Sequence, residues 1–512
     1  MFYKNNYRLI KKAKRIVTFI FMFLIFSVFC FSCLTGCSSK SLNSISKNIT
    51  NYTLSLSFDD QTKTLTGSQK VDYINNSNTV LKEVWFHLYP NAFSEKATIK
   101  PVSNLYKDKA YPNGEDYGNI QIQKVAVEGK GQMINIGAPD NETLIVRLNE
   151  DLYPDDRVLI SFEYTVLLPN CLHRFGYGDN TYNFGNFYPI ACVYENGSFK
   201  IDSYGSNGDP FYSDVANYNV TIVYENDFTL ASSGEQTSTK TNKDDKKQTN
   251  ITAKVVRDFA FVLSKKFDVI SKKAGDTTIY YYYYDDENAQ KSLQAGVDAI
   301  NTFSNLFGKY PYSTYSVVKT NFIHGGMEYP NLVYISDAVT KQEDYLNVVI
   351  HETAHQWWYN MVGSNACEYA WLDEGLTEYS TLMFYDKNPS YKIDTQESLN
   401  SSLSSYLLFS EICTSVYGSF DSKMTKNVNT FKSDMEYVYV TYVKGVLFFD
   451  NLNELVGDKK FEKSLKKYFE ENKYKNAKPE NMISVFESVC KKSLESFFDS
   501  WVSGKVVLQS YK

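Results

Sequence analysis

Residues 348–360 read VVIHETAHQWWYN, and the reading of this stretch decides what the rest of the chain must build. His351 and His355 stand four apart, with Glu352 directly after the first, in a chain that has 5 histidines. Residues four apart on a helix share one face, with about 5–6 Å between their Cβ atoms. That spacing lets two imidazoles hold one zinc ion, while Glu352 reaches a water beside the metal. The plain alternative is a helix with two surface histidines and a solvated glutamate. VVI before the motif and WW after it mark a buried helix instead.

A hydrolytic zinc needs a third protein ligand and an open position. Beyond His355 the chain passes through a turn region, VGSNACEYA (362–370), into WLDEGLTEYS (371–380). A helix, a reversal and a second antiparallel helix would return Glu374 to the metal as that ligand. Glu378, one turn on, is either placed to hydrogen-bond a ligand histidine or is an ordinary exposed glutamate.

At 512 residues the chain exceeds one compact core, and about two to four domains are expected. Residues 51–270 read as an all-β domain. YTLSLSFD, SQKVDYINN, KEVWFHLYP, RVLISFEYTVLL and NYNVTIVYEN are short, aromatic or β-branched, and separated by Asn, Asp, Gly and Pro. GEQTSTKTNKDDKKQTN (234–250) reads as an exposed hairpin loop, and TTIYYYYYDD (277–286) as a strand. From Glu287 the apolar period changes to three and four, which is helical. Short strands are expected near 315–319 and 332–335, then helices over 343–363, 371–386, 395–412, 435–456, 459–472 and 478–503. The second domain is therefore placed at 271–512.

The N-terminus is separate. Lys4, Arg8, Lys11, Lys12, Lys14 and Arg15 precede an apolar run over 16–34, followed by Leu34-Thr35-Gly36-Cys37. A basic region, an apolar region and small residues at a cut point form an export signal over residues 1–36. The run is also just long enough to span a bilayer. The Leu-Thr-Gly-Cys stretch resembles a bacterial lipoprotein processing site. That resemblance implies cleavage before Cys37, lipid on its thiol, and a cell-membrane anchor on the extracytoplasmic face, with residues 37–50 as a tether. Removing the six basic residues of the leader takes the net charge from −6 to about −12. Such a surface repels nucleic acid, which is excluded as a partner. Cys171, Cys192, Cys367, Cys413 and Cys490 have no metal-knuckle spacing and read as mostly buried thiols, with disulfide pairing left open.

The chain resembles the aminopeptidase N-like zinc metallopeptidases, gluzincins with a thermolysin-like catalytic domain. His351, Glu352, His355 and Glu374 meet the family's zinc pattern, HGGMEYP (324–330) its Gly-x-Met-Glu segment, and TYVKGVLFF (441–449) its tyrosine before Lys-Gly. WFHLYPNAF, NFYPIACVYENGSF, GDPFYSDVANYNVTI and VRDFAFVLSKKFDV extend the likeness through the β domain, so it covers about 52–505. It implies a saddle- or sandwich-like all-β domain, then a mainly α, α+β catalytic domain, one zinc ion, and peptide substrates. It gives Tyr442 the role of oxyanion donor and Glu328 that of the carboxylate pairing with a free α-amino group. Gly325 and Gly326, lacking side chains, would let a substrate strand approach their backbone. The family's second amine-binding glutamate has no counterpart in YNFGNFYPI (182–190), so Glu328 is expected to act alone. FFDSWVSGKVVLQSYK (497–512) resembles the end of the catalytic domain, and no C-terminal helical domain is expected. The reading is an aminopeptidase; an endopeptidase or other hydrolase with an open cleft, and an inert lipoprotein binding module, are the alternatives.

Overall fold

The structure, a computed structural model, describes residues 42–137 and 141–509. The export signal, the apolar run, the Leu34–Cys37 stretch and the first part of the tether lie outside the described residues. Leu42–Ile45 forms one helical turn in a small first unit. Ser46 onward makes up the second unit. Among the described residues, no helix is long and apolar enough to cross a membrane.

The β half is built on an eight-stranded sheet. Its order is Glu235–Thr241, Lys246–Val256, Ala216–Glu225, Thr50–Asp59, Thr64–Ile74, Arg157–Leu167, Asn119–Val127 and Lys130–Gln132. Along Thr50–Asp59 the residues Leu54, Leu56 and Phe58 are buried while the intervening serines face water. One face of this sheet is therefore apolar and must be covered. Two four-stranded sheets lie on it. Phe58 meets Phe184 of one at 5.2 Å between ring centroids, and Phe162 meets Phe86 of the other at 4.9 Å.

One expectation shifts here. Residues 234–250 are mostly paired strand rather than loop. Glu235–Thr241 is exposed throughout yet forms the sheet edge, because ladder hydrogen bonds need no apolar side chain there. The strand pairing changes partners around residues 265–267. Phe261–Ser264 pairs within the β half, whereas Asp268–Ala274 already pairs with Thr277–Tyr283 of the next domain.

The second domain opens with a five-stranded sheet: β1 (Asp268–Ala274), β2 (Thr277–Tyr283), β3 (Thr314–Thr320), β4 (Gly326–Met327) and β5 (Leu332–Ser336), in the order β1-β2-β3-β5-β4. Helix α1 (Ala289–Leu306) follows β2. Helix α2 (Gln342–His355) starts with Glu343 and Asp344 in its first turn, where the helix dipole favours negative charge. It does not run on to 363: Gln356–Met361 is a π-helical turn. Trp357 Nε1 donates to Gly308 O at 2.8 Å and Trp358 Nε1 to Ser380 Oγ at 2.8 Å, which fixes this wider turn.

The longer helices that follow are α3 (Ala366–Lys387), α4 (Thr395–Tyr417), α5 (Lys444–Val456), α6 (Asp458–Asn472) and α7 (Pro479–Cys490), with α8 (Glu495–Val502) last. The single helix expected over 478–503 breaks after α7, where Lys491 takes a left-handed φ of 59°. Helices thus dominate residues 289–502, and the expected absence of a C-terminal helical domain finds no support. The five described cysteines are free and buried.

Arg257, 3% exposed, ties the two halves together. Its Nε donates to Tyr359 O at 2.6 Å, and its terminal nitrogens donate to Ser213 O at 2.7 Å and Lys475 O at 2.6 Å. Helices α3 and α5 approach closely because glycine faces glycine. A Cβ on Gly445 would lie 2.7 Å from the Gly375 Cα, closer than backbone atoms tolerate. Gly445→Ala is accordingly expected to cost about 1–3 kcal/mol by forcing the helices apart. Gly131→Ala, whose Cβ meets nothing within 4 Å, should stay within about 0.5 kcal/mol of the parent in urea unfolding.

Candidate metal centre

Helix α2 supplies His351 and His355, and α3 returns antiparallel to supply Glu374. His355 Nε2 lies 3.1 Å from His351 Nε2 and 3.1 Å from Glu374 Oε2, and the third edge of this triangle is 3.5 Å. Ligand atoms held tetrahedrally at about 2.0–2.1 Å from zinc are separated by roughly 3.3 Å. The donor set therefore fits zinc in both chemistry and spacing.

The other ring nitrogens point outward to partners. His355 Nδ1 faces Asp373 Oδ1 at 2.7 Å and Thr377 Oγ1 at 3.2 Å. His351 Nδ1 faces Glu378 Oε1 at 3.2 Å. Carboxylates behind both imidazoles leave each Nε2 as a lone-pair donor toward the metal. Against the effect of burial, Glu378 and Glu374 push His351 up to about 10. Burial raises Glu374, yet the two facing imidazoles hold it well below the usual carboxylate range. Charges that pull so strongly on one another mark a pocket that a dication would neutralise.

Glu352 is 5% exposed and lines the same cavity, of about 520 Å³, as the three ligands. Burial pushes it up to about 7, against the lowering effect of His351 and His355, the range useful to a general base at neutral pH. Gly326 makes room for it: a Cβ there would collide with the Glu352 carboxylate. Gly325 is less confined, since a Cβ added there would make only an ordinary van der Waals contact with Val348 Cγ2, at 3.6 Å. Tyr442, in a second π-helical turn (Tyr439–Val443), donates its hydroxyl to Glu374 Oε1 at 2.6 Å.

Glu328 lies at the cavity wall, 3% exposed, and its Oε1 is buried with no hydrogen-bond partner. Burial holds its pKa well above the ordinary value, with Asp209 adding to the effect. Its position is fixed from α2's end: Gln356 Nε2 donates to Tyr329 O at 3.1 Å, and Gln356 Oε1 accepts from Asn331 N at 2.9 Å. Tyr329, where the resembling family usually has asparagine, donates to Asn186 Oδ1 at 2.8 Å and so docks the segment on the β half.

Several residues at the centre carried no signal of their own. Asp373 and Thr377 flank Glu374 in an ordinary helical sequence, and Gln356 merely follows His355. Arg174 and Asp209 come from the β half, far away in the chain, and both line the cavity. Asp209 was visible only as part of the GDPFYSD likeness.

A zinc-binding helix followed by a glutamate-bearing antiparallel helix, beside a small sheet, defines a gluzincin-type metal centre. Residues 291–501 match the Peptidase family M1 domain, so this region is similar to the aminopeptidase N-like zinc metallopeptidases. It is 30% identical over 232 residues to leucine aminopeptidase 2 of Ajellomyces capsulatus, covering 44% of this chain and 34% of that protein. It is 28% identical over 256 residues to aminopeptidase B of Mus musculus, covering 46% and 38%. The chain thus matches little more than a third of the length of these relatives. The M1 zinc metallopeptidase of Deinococcus radiodurans shares the fold, with a TM-score of 0.64 at 15% identity over 91% of this chain and 96% of that one. A variant of it bound to a Tyr-Ser-Ala substrate aligns with a TM-score of 0.61 at 15% identity over the same shares, 91% and 96%.

Asp373→Asn is expected to keep the fold but weaken zinc binding about 10- to 100-fold, because an amide holds the His355 imidazole less basic. Zinc competition against a chelator measures it.

Proposed function

We propose that this chain is a zinc aminopeptidase that removes N-terminal residues from peptides. The observation that carries the reading is Glu328: a buried carboxylate oxygen without a partner, close to Glu352 and His355. A carboxylate left unpaired in a partly desolvated cleft is matched by a cation. The free α-ammonium of a peptide is the cation that would also set the first peptide bond beside the metal. The names of the relatives, and the tripeptide held by the Deinococcus variant, support the same substrate class.

A zinc ion held by His351, His355 and Glu374 would polarise the scissile carbonyl and lower the pKa of a water toward about 7. Glu352 takes the proton from the attacking water and carries it to the leaving amine. Tyr442 turns its one hydroxyl hydrogen from Glu374 Oε1 to the oxyanion that develops on the substrate. Glu328 fixes the register by binding the ammonium.

Glu352→Gln should keep zinc and lose about 100- to 10,000-fold in turnover. Retention of more than about a tenth of the activity, with zinc bound, contradicts its role. Aminoacyl arylamides should be cleaved and their N-acetylated forms should not. Glu328→Ala should lower kcat/KM on the free amines roughly 30- to 150-fold, about 2–3 kcal/mol, and shrink the ratio between free and blocked substrates. Equal cleavage of free and blocked peptides at internal bonds would instead support an endopeptidase.

The Leu34–Cys37 stretch supports a lipid anchor on the outer face of a bacterial membrane. Cys37→Ser is expected to release the protein from membranes or leave an unprocessed precursor, read by fractionation and mass. Normal processing and membrane retention of the variant would rule the anchor out.

A further inference from the structure

We infer that Asp209, delivered by the β half and braced by Arg174, is a second anchor for the substrate's ammonium and a determinant of amine selectivity. The inference rests on the aminopeptidase reading and adds a residue to it. Oxygen atoms of Asp209, Glu328 and Glu374 all lie within 4.8 Å of one another. An ammonium group has three N–H donors at tetrahedral angles, so acceptors at about 2.8 Å from its nitrogen sit roughly 4.6 Å apart. Glu328 Oε1, buried and without a partner, belongs to the same group of residues.

The charges point the same way. Among the described residues lining the cavity, Arg174 is the only Lys or Arg. It forms an ion pair with Asp209, while its Nε meets Met327 Sδ at 2.9 Å and a terminal nitrogen donates to Gly208 O at 3.2 Å. Both side chains are only 9% exposed. Arg174 thus holds Asp209 on one side and the residue before Glu328 on the other. With Glu374 assigned to the metal and Glu352 to proton transfer, one guanidinium faces two carboxylates. Glu378 and Asp434 also line the cavity, so carboxylates outnumber the one guanidinium and favour a cationic ligand such as an ammonium. This also answers the missing acidic residue in YNFGNFYPI: the β half supplies a carboxylate from a later loop, Gly208–Asp209, rather than from the strand Tyr182–Phe184.

The test compares an aminoacyl arylamide with its des-amino counterpart, which carries hydrogen in place of the ammonium. Asp209→Asn should lower kcat/KM on the amine about ten- to a hundredfold while leaving the des-amino compound within about threefold, with bound zinc unchanged. A purely structural partner of Arg174 would lower both alike. If the single variant does not fold, R174Q/D209N leaves neither charge buried alone and is expected to show the same loss of discrimination. Unchanged discrimination in whichever variant folds overturns the role of Asp209 while leaving the aminopeptidase reading intact. A wild-type enzyme with no preference for the amine overturns both. A second equivalent of zinc that disappears in Asp209→Asn would make the cluster a metal site and overturn the inference.

Discussion

The centre depends on how His355 is gripped by two consecutive residues of α3. Asp373 meets its Nδ1 at 2.7 Å and Glu374 meets its Nε2 at 3.1 Å. An imidazole has only these two polar edges, so the pair fixes the ring's orientation, its tautomer and the register of α3 against α2 at once. A shift of α3 by one residue would exchange or remove both contacts. Gly375, next in sequence, then lets Gly445 of α5 approach, and that approach carries Tyr442 onto Glu374. Three adjacent residues thus orient one side chain of the centre, supply another and admit the helix that brings Tyr442.

Burial gives this arrangement its chemistry. Asp209, Glu328, Glu352 and Glu374 converge on a cavity where each is at most 7% exposed. Like charges so close in a poorly solvated space disfavour ionisation unless cations share the space. The chain itself provides Arg174 on one wall; a dication and a substrate ammonium would provide the rest. On the proposed reading, the site is incomplete electrostatically until both are bound, which would couple metal retention and substrate preference to the same set of carboxylates.

The β half is part of the site and more than a platform for it. Arg257 bonds to a carbonyl of the π-helical turn that ends α2, and Tyr329 bonds to Asn186. Both contacts are buried and join segments more than a hundred residues apart. They hold the Glu328 segment and the end of the zinc helix against the same surface, where Arg174 and Asp209 reach the cavity.

The sequence alone determined what local spacing can encode. His351 and His355 share a helix face by periodicity with Glu352 beside the first, and Glu374 follows at a distance that a helical hairpin spans. The alternating strands and the switch to helical period separate a strand-rich half from a helix-rich one. Glu328 and Tyr442 were legible through a family resemblance, because neither residue type nor spacing marks a lone glutamate or one tyrosine among 42. Tertiary structure alone decided the rest. The π-helical turns, the break at Lys491 and the edge strand over Glu235–Thr241 follow from packing and backbone pairing that no side-chain period records. Arg174 and Asp209 joined the centre only when a β-domain loop folded against α2 and α3. Residues distant in sequence share one cavity and one dielectric environment only after folding.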